Sequence, residues 1–400
     1  MTRLASMLRA RVAPSIAYYN YNANDLTAII PDLYEGLDVV SRELVGFIPS
    51  VFRNSSAERA AVNQSIVYPI APTPTRFNVT PAMAIPETTD KTVGSGTLTI
   101  SKAAGYEFGW TGEEQRAANT AQGIGFSTVQ ADMFAQALRE LTNEIEIDLA
   151  TEAYLSASRA TGTSGTTPFG SNFDEVADLR KILDDNGCPA SDRSLVINTS
   201  AGANLRKKSQ LTKVNEAGTT MTLRQGELLD IHNMSIKESA GVRTVDTGTG
   251  ASYQTSAAAA VGATTIAVDT GSGTVPAGSV VTFAGDSNQY VVETALSGGS
   301  LTIAKPGLRV AVADNTVMTV TADYTGNVAF HRNALHLILR APALPNGGDA
   351  AIDSMMLADA RSGLSFEVRL YAAYRKIRAE VAAAWGVGGI KSAHIATLKG

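Results

Sequence analysis

One cysteine, Cys188, stands in the 400 residues. A single thiol excludes a disulfide framework and a multi-cysteine metal site within the chain. Cys188 falls in the turn Asn186-Gly187-Cys188-Pro189, where a small residue fits. Histidine is also scarce, with four copies. His331 and His336 lie five apart, so neither a strand nor a helix points both at one metal. Charged residues make up only 18% of the chain, and the net charge is −5. That balance argues against a protein that wraps nucleic acid, because such proteins cluster Lys and Arg. Sparse charge suits a surface largely covered by copies of the same chain. No run approaches the ~20 apolar residues of a membrane span, so no membrane partner is expected. The longest uncharged run, Thr247 to Val268, is rich in Gly, Thr, Ser and Ala and reads as loop and strand.

Catalytic signatures are missing as well. Gly271-Ser272-Gly273-Thr274-Val275-Pro276-Ala277-Gly278 is Gly-rich, but it lacks the Lys of a phosphate loop and leads into a strand instead of a helix. There is no HExxH and no GxSxG; Gly162-Thr163-Ser164-Gly165 reads as a linker. Among the acidic clusters, Glu113-Glu114 stands alone, and Glu144 and Asp148 flank Glu146. Glu144 and Asp148, four apart, share one helix face, which reads as solvated. The alternatives are an intersubunit salt bridge or a divalent ion. Asp184-Asp185-Asn186-Gly187 is a turn too short for a calcium loop. Two basic knots, Arg206-Lys207-Lys208 and Arg375-Lys376 with Arg378, lack the interleaved aromatics that stack on bases. Both read as surface or intersubunit pairing. No catalytic, cofactor-binding or metal-binding residue is therefore predicted, no cofactor is expected, and the chain does not read as an enzyme.

The length allows two to three compact units. Residues 1–23 carry Arg3, Arg9 and Arg11 with no acid before Asp25. No apolar segment of signal-peptide type follows, so this is a basic arm or an over-long start. Residues 24–62 read as largely helical: Pro31 opens a helix and Leu33, Leu37, Val40, Leu44 and Val45 recur at helical spacing, up to Pro49. Ser65-Ile66-Val67-Tyr68-Pro69-Ile70 and Thr97-Leu98-Thr99-Ile100-Ser101 flank a stretch with five prolines between positions 69 and 86. They read as the arms of a long β-hairpin with too little apolar content to bury against its own domain. Residues 127–158 give the strongest signal. Ser127 and Gln130 suggest a capping box, and Val129, Met133, Phe134, Ala137, Leu138, Leu141, Ile145, Leu149 and Leu155 form one stripe. At about 1.5 Å per residue this helix spans about 45–50 Å. A flexible loop from Thr161 to Thr167 closes it.

Residues 172–242 read as α/β, with a helix over Phe173–Leu183 and a second helix or turn over Thr199–Lys208. Strands are expected at Ser194–Ile197, Leu228–Ile231 and Met234–Ile236. Beyond Asp246 the basic residues almost vanish up to Gly326, where only Lys305 and Arg309 occur. Short β-runs start near Thr264, Ser279, Gln289, Ser300 and Thr316, a spacing that suggests a small inserted β-barrel or sandwich. His331–Leu339 reads as helix or strand and Gly363–Leu370 as an alternating strand; Lys376–Val381 and the Gly386–Gly389 cluster lead toward the C-terminus.

This order resembles the Hong Kong 97 capsid fold of tailed bacteriophages. More closely, it resembles the coat proteins of short-tailed Salmonella phages, which carry an inserted β-domain. The resemblance rests on Asn24 to Pro31 with Tyr34-Glu35-Gly36-Leu37, on Phe134 to Tyr154, on Val261 to Val268 and on Tyr371 to Gly388. It covers the chain from about residue 24 onward. It implies an α+β fold with an N-terminal extension and N-arm at 1–62 and an E-loop hairpin at 63–110. A peripheral domain with its spine helix takes 111–170, and the first part of an axial domain takes 171–242. The inserted β-barrel domain takes 243–326, and 327–400 return to both domains. It further implies a major capsid protein that assembles into hexamers and pentamers of an icosahedral shell around double-stranded DNA, without sequence-specific DNA binding. A scaffolding protein and a portal act during assembly in the bacterial cytoplasm. Rival readings are an encapsulin-like nanocompartment, which typically lacks the insertion, and a tail-tube or surface-fibre protein, which suits the Thr/Gly/Val-rich segment but not the long helix.

Overall fold

The computed structural model describes residues 45–70, 76, 92–120, 126–208, 230–358 and 364–400. In chain order the first elements are β1 (Phe52–Ala60), β2 (Ser65–Ile70), β3 (Gly94–Thr99), β4 (Lys102–Thr111), α1 (Gly112–Thr120), α2 (Phe126–Leu155), β5 (Arg159–Gly162) and α3 (Asp174–Asp185). Next are β6 (Arg193–Ile197), α4 (Thr199–Arg206), β7 (Met234–Glu238), β8 (Thr244–Val245), β9 (Tyr253–Thr255), β10 (Thr265–Asp269), β11 (Val280–Phe283), β12 (Gln289–Ser297), β13 (Ser300–Ile303) and β14 (Val317–Val320). The last are β15 (Tyr324–His331), β16 (Leu335–Pro342), β17 (Ala351–Ala358), β18 (Ser365–Ala373), β19 (Lys376–Gly389) and β20 (Ile395–Lys399).

The long helix forms where its apolar spacing places it. Phe134, Leu138, Leu141, Ile145 and Leu149 are fully buried on one side of α2. They pack on a sheet of order β1-β16-β19-β18-β17, with β4 also paired to β19. Trp110, Leu337, Phe366, Val368, Val381 and Trp385 supply that sheet's half of the core, and Phe47 and Val51 close it. Each such large side chain contributes about 1.5–3 kcal/mol when removed from water. A second sheet runs β12-β5-β20-β15-β6-β7, with β8 on β15. Its far face carries α3 and α4 over Leu179, Leu183, Leu195, Ile197, Leu205 and Ile236.

At its β12 end the second sheet continues into six strands whose pairings run β11-β14-β9-β10-β13-β12 and return to β11. The ring has its own core, with Ile266, Val281, Phe283, Tyr290, Leu301, Ile303 and Met318 inside. Its neck is tight: Thr247 donates through both its N–H and its hydroxyl to Asp323 Oδ1, at 2.9 and 3.0 Å.

Several expectations need correction. The largely helical reading of 24–62, with its helix ending at Pro49, fails over the described part: residues 46–51 form bends and turns. Residues 52–60 are strand β1, parallel to β16 from Phe52↔His336 onward, because an available sheet edge outweighs local helical tendency. Residues 24–44 lie outside the described residues. Ser127, expected to open the long helix with a capping box, falls one residue inside α2, which starts at Phe126; its side chain lies outside the described residues. A capping box opens α1. Thr111 Oγ1 accepts from Glu114 N at 3.2 Å, and the Glu114 carboxylate accepts from Thr111 N at 2.8 Å. The loop expected from Thr161 begins as strand β5, parallel to β20. His331 to Leu339 is no single element, because a 3-10 turn, Arg332–Ala334, breaks two strands there. Of the strand expected at Leu228–Ile231, Leu228 and Leu229 lie outside the described residues, and Ile231 makes only an isolated bridge to Met234.

Candidate assembly surfaces

β2 and β3 pair antiparallel, from Ser65↔Thr99 to Ile70↔Gly94, and with no other strand among the described residues. Their two faces differ, as a two-residue period dictates. Leu98 packs with Ala60, Ile100, Ile338 and Ala384, and Ile66 and Tyr68 lean on that cluster. The root of the hairpin therefore does bury against its own body, contrary to the sequence expectation. The other face remains bare: Val67 is 63% exposed and Val93 59%. Between the hairpin and β1/β16 lies a groove of about 710 Å³, lined by Phe52, Ile66, Tyr68, Leu98, His336 and Ile338 among others. His336 sits 4.6 Å from the Phe52 ring, and burial lowers its pKa.

The acidic residues of α2 are clasps within the chain. Glu144 accepts from Tyr106 Oη at 3.4 Å. Asp148 accepts from Lys102 Nζ at 2.7 Å and from Trp385 Nε1 at 2.8 Å. Glu152 accepts from Gly389 N at 2.9 Å and from Ser156 Oγ at 2.8 Å. Spaced four apart, the three carboxylates hold β4 and β19 to one side of the helix. This corrects the reading of Glu144 and Asp148 as a solvated or intersubunit face.

Glu146 points elsewhere. Its Oε1 accepts from Gly46 N at 2.7 Å, Phe47 N at 2.8 Å and Ser239 Oγ at 2.6 Å, and its Oε2 accepts from Ile48 N at 3.0 Å. Burial pushes this carboxyl above its usual range, outweighing the hydrogen bonds that pull it down. Sequence reasoning grouped Glu146 with its neighbours. The signal that separates it is its two-residue offset, which turns it about 200° away, next to Ile145 and Thr142 on the buried side.

Both basic knots pair inside the chain through one member each. Arg206 forks onto Glu238 with both contacts at 2.6 Å. The fork needs Gly202, where a Cβ would lie 1.5 Å from Glu238 Oε1. Arg378 pairs with Glu107. In the Asp184–Gly187 turn, Asp184 accepts from Arg193 at 2.6 Å, which holds its carboxyl low. Glu114 belongs to the α1 cap. Cys188 is free and buried, and burial pushes its thiol up. The Gly271–Gly278 stretch turns through positive φ at Gly273 and Gly278, then enters β11. His331 lies beside His394 at 6.0 Å, not beside His336. Among the described residues no three His, Cys, Asp or Glu gather closely enough to hold a metal ion, and no helix is long and apolar enough to cross a membrane.

No protein-family model matches the chain, and no curated protein does. Solved structures do resemble it. The capsid of cyanophage P-SCSP1u is 10% identical over 87% of this chain and 86% of that one, with a TM-score of 0.46. The capsid of Myoviridae phage XM1 is 12% identical over 90% and 92%, with a TM-score of 0.45. The virus-like particle from Pyrococcus furiosus is 10% identical over 93% and 98%, with a TM-score of 0.43.

Proposed function

We propose that this chain is the major capsid protein of a tailed phage, a structural shell subunit of the Hong Kong 97 type and not an enzyme. The observation that carries the reading is the hairpin. Two strands leave the body, pair only with each other among the described strands, and keep Val67, Ile70 and Val93 exposed. Two-stranded sheets of this kind are marginal in water on their own. A neighbouring subunit supplies the missing cover. The clamped helix α2 is the rigid spine behind that reach, the second sheet with α3 and α4 is the axial part, and the ring over 243–326 is an inserted β-domain. Hexamers and pentamers of this chain close a shell around double-stranded DNA, with scaffolding protein and portal as assembly partners. Many weak contacts, repeated by symmetry, give the shell its strength.

Electron microscopy of purified particles, with a nucleic-acid assay, tests the reading. Closed icosahedral shells that hold DNA when made during infection are expected. Helical tubes would assign it to a tail. Shells holding a cargo enzyme and no DNA would assign it to a nanocompartment.

A further inference from the structure

Among the described strands the chain passes between its two larger sheets three times: once through α1 and α2, once from β15 to β16, and once from β19 to β20. The last two passages are short and lie side by side. Each contains a 3-10 turn, Arg332–Ala334 in one and Ser392–His394 in the other. They are tied together at Ala334, whose carbonyl accepts from Ile390 N at 2.8 Å and from Lys391 N at 3.4 Å. A histidine borders each turn: His331 at the end of β15 and His394 just before β20. Their rings meet edge to face with centroids 6.0 Å apart. Both are buried, at 7% and 6% exposure.

The surroundings favour the neutral rings. His331 Nδ1 accepts from Asn333 N at 3.2 Å, so it carries no proton there. Arg193 and Lys391 place positive charge on the pair, and Asp192 opposes them beside His331. The nearby Asp184 carboxylate is engaged with Arg193, and the Cys188 thiol is held neutral by burial. A proton on either ring therefore meets buried positive charge, and on His331 Nδ1 it also displaces the Asn333 bond.

We propose that the His331–His394 pair is an acid-sensitive catch on the two connectors. Protonation loosens the junction and lets the sheets change their setting relative to each other. This stands independently of the shell reading. Burial pushes His394 down to about 4 and lowers His331 from the usual 6.5. The more open junction binds these protons more readily, so the bias toward it is absent above about pH 6.5 and grows as pH falls toward about 4.

Hydrogen–deuterium exchange on the full chain reads this out. The segments 331–336 and 389–396 are followed as pH falls from about 7.5 to about 4.5, with intrinsic rates corrected. Their opening constant should rise by up to about tenfold per pH unit for each histidine, while the middle of α2 stays protected. The variant H331N/H394Q, which keeps an acceptor and a donor but does not titrate, should show a flat profile. Unchanged exchange in the wild type, or an equal rise in the variant, overturns the proposal. If the variant fails to fold, carbon-13-labelled histidine resonances of the wild type decide. The His331 and His394 resonances, told apart from those of His232 and His336 by assignment, must then titrate well below the ordinary range and move together with the exchange; titration of either at or above about 6.5 rejects the catch.

Discussion

Trp385 donates its indole N–H to Asp148 across 2.8 Å, while Lys102 takes the other oxygen of the same carboxylate at 2.7 Å. One acid on the long helix thus holds two strands of the first sheet. Trp385 is fully buried. Trp385→Phe keeps an aromatic side chain but removes the donor and part of the buried indole, leaving Asp148 with the lysine alone and a small cavity beside it. The expected loss is about 1.5–3 kcal/mol, the range for a bond to a charged group. Urea unfolding followed by circular dichroism measures it. A change under about 0.5 kcal/mol, the size of an ordinary surface substitution, would mean that the clasp carries no stability.

Glu146 takes three successive backbone N–H groups of residues 46–48 and the Ser239 hydroxyl. Glu146→Ala leaves those buried donors without an acceptor. A loss on the order of 3 kcal/mol or more is expected, with the segment at 46–48 released first. Protease sensitivity at that segment, compared with the unfolding midpoint, checks both statements.

The same carboxyl gives a pH dependence with a definite sign. Its folded pKa is raised, so the folded chain holds the proton more tightly than the unfolded chain. That contribution is full below the ordinary carboxyl range and is lost as pH rises through the raised value. Glu146→Gln does not titrate. The stability gap between wild type and E146Q should therefore narrow as pH increases from about 4.5 to about 8. A gap that widens would show that the hydrogen bonds, not burial, dominate this group.

On the hairpin, Val67 is exposed. Val67→Glu should leave the stability of the isolated subunit within about 0.5 kcal/mol. The yield of closed particles, counted by sedimentation and microscopy, should fall sharply. Normal yield would remove the hairpin face from the assembly contacts.

The chain enters and leaves the six-strand ring at Thr247 and Asp323, which touch, and β12 of the ring also pairs with β5 of the body. Replacing residues between them with a short Gly/Ser linker should leave the secondary structure of the remaining sheets recognisable by circular dichroism. Folding yield or assembly fidelity should suffer. Complete loss of secondary structure would show that the ring is part of the body, not an addition to it.

What the sequence reveals depends on where each element's reason lies. The α2 stripe is visible because Phe134, Leu138, Leu141, Ile145 and Leu149 repeat at helical spacing within one segment. The hairpin arms and β10 to β14 are visible because β-branched runs alternate with turn residues nearby. β1 is hidden, since its partner β16 lies far along the chain and only that edge makes residues 52–60 extended. The clasps are hidden for the same cause. Glu144, Asp148 and Glu152 look like a solvent face until β4 and β19 are laid against them. Glu146 alone carried a local clue, its offset onto the apolar side.

Mechanical load gives the clasp at Asp148 a further meaning. The hairpin returns through Thr99 and Ser101 directly into Lys102, the first residue of β4. Beyond it, β4 is bonded to β19 along ten consecutive pairs, Lys102↔Trp385 to Thr111↔Lys376. A tug on the hairpin along its strands therefore acts on that ladder in shear, with its bonds sharing the force at once, because they lie across the strand direction. The first pair of the ladder is the pair that Asp148 grips from the helix. A pull that enters through the hairpin therefore meets the body at a pair already tied to α2.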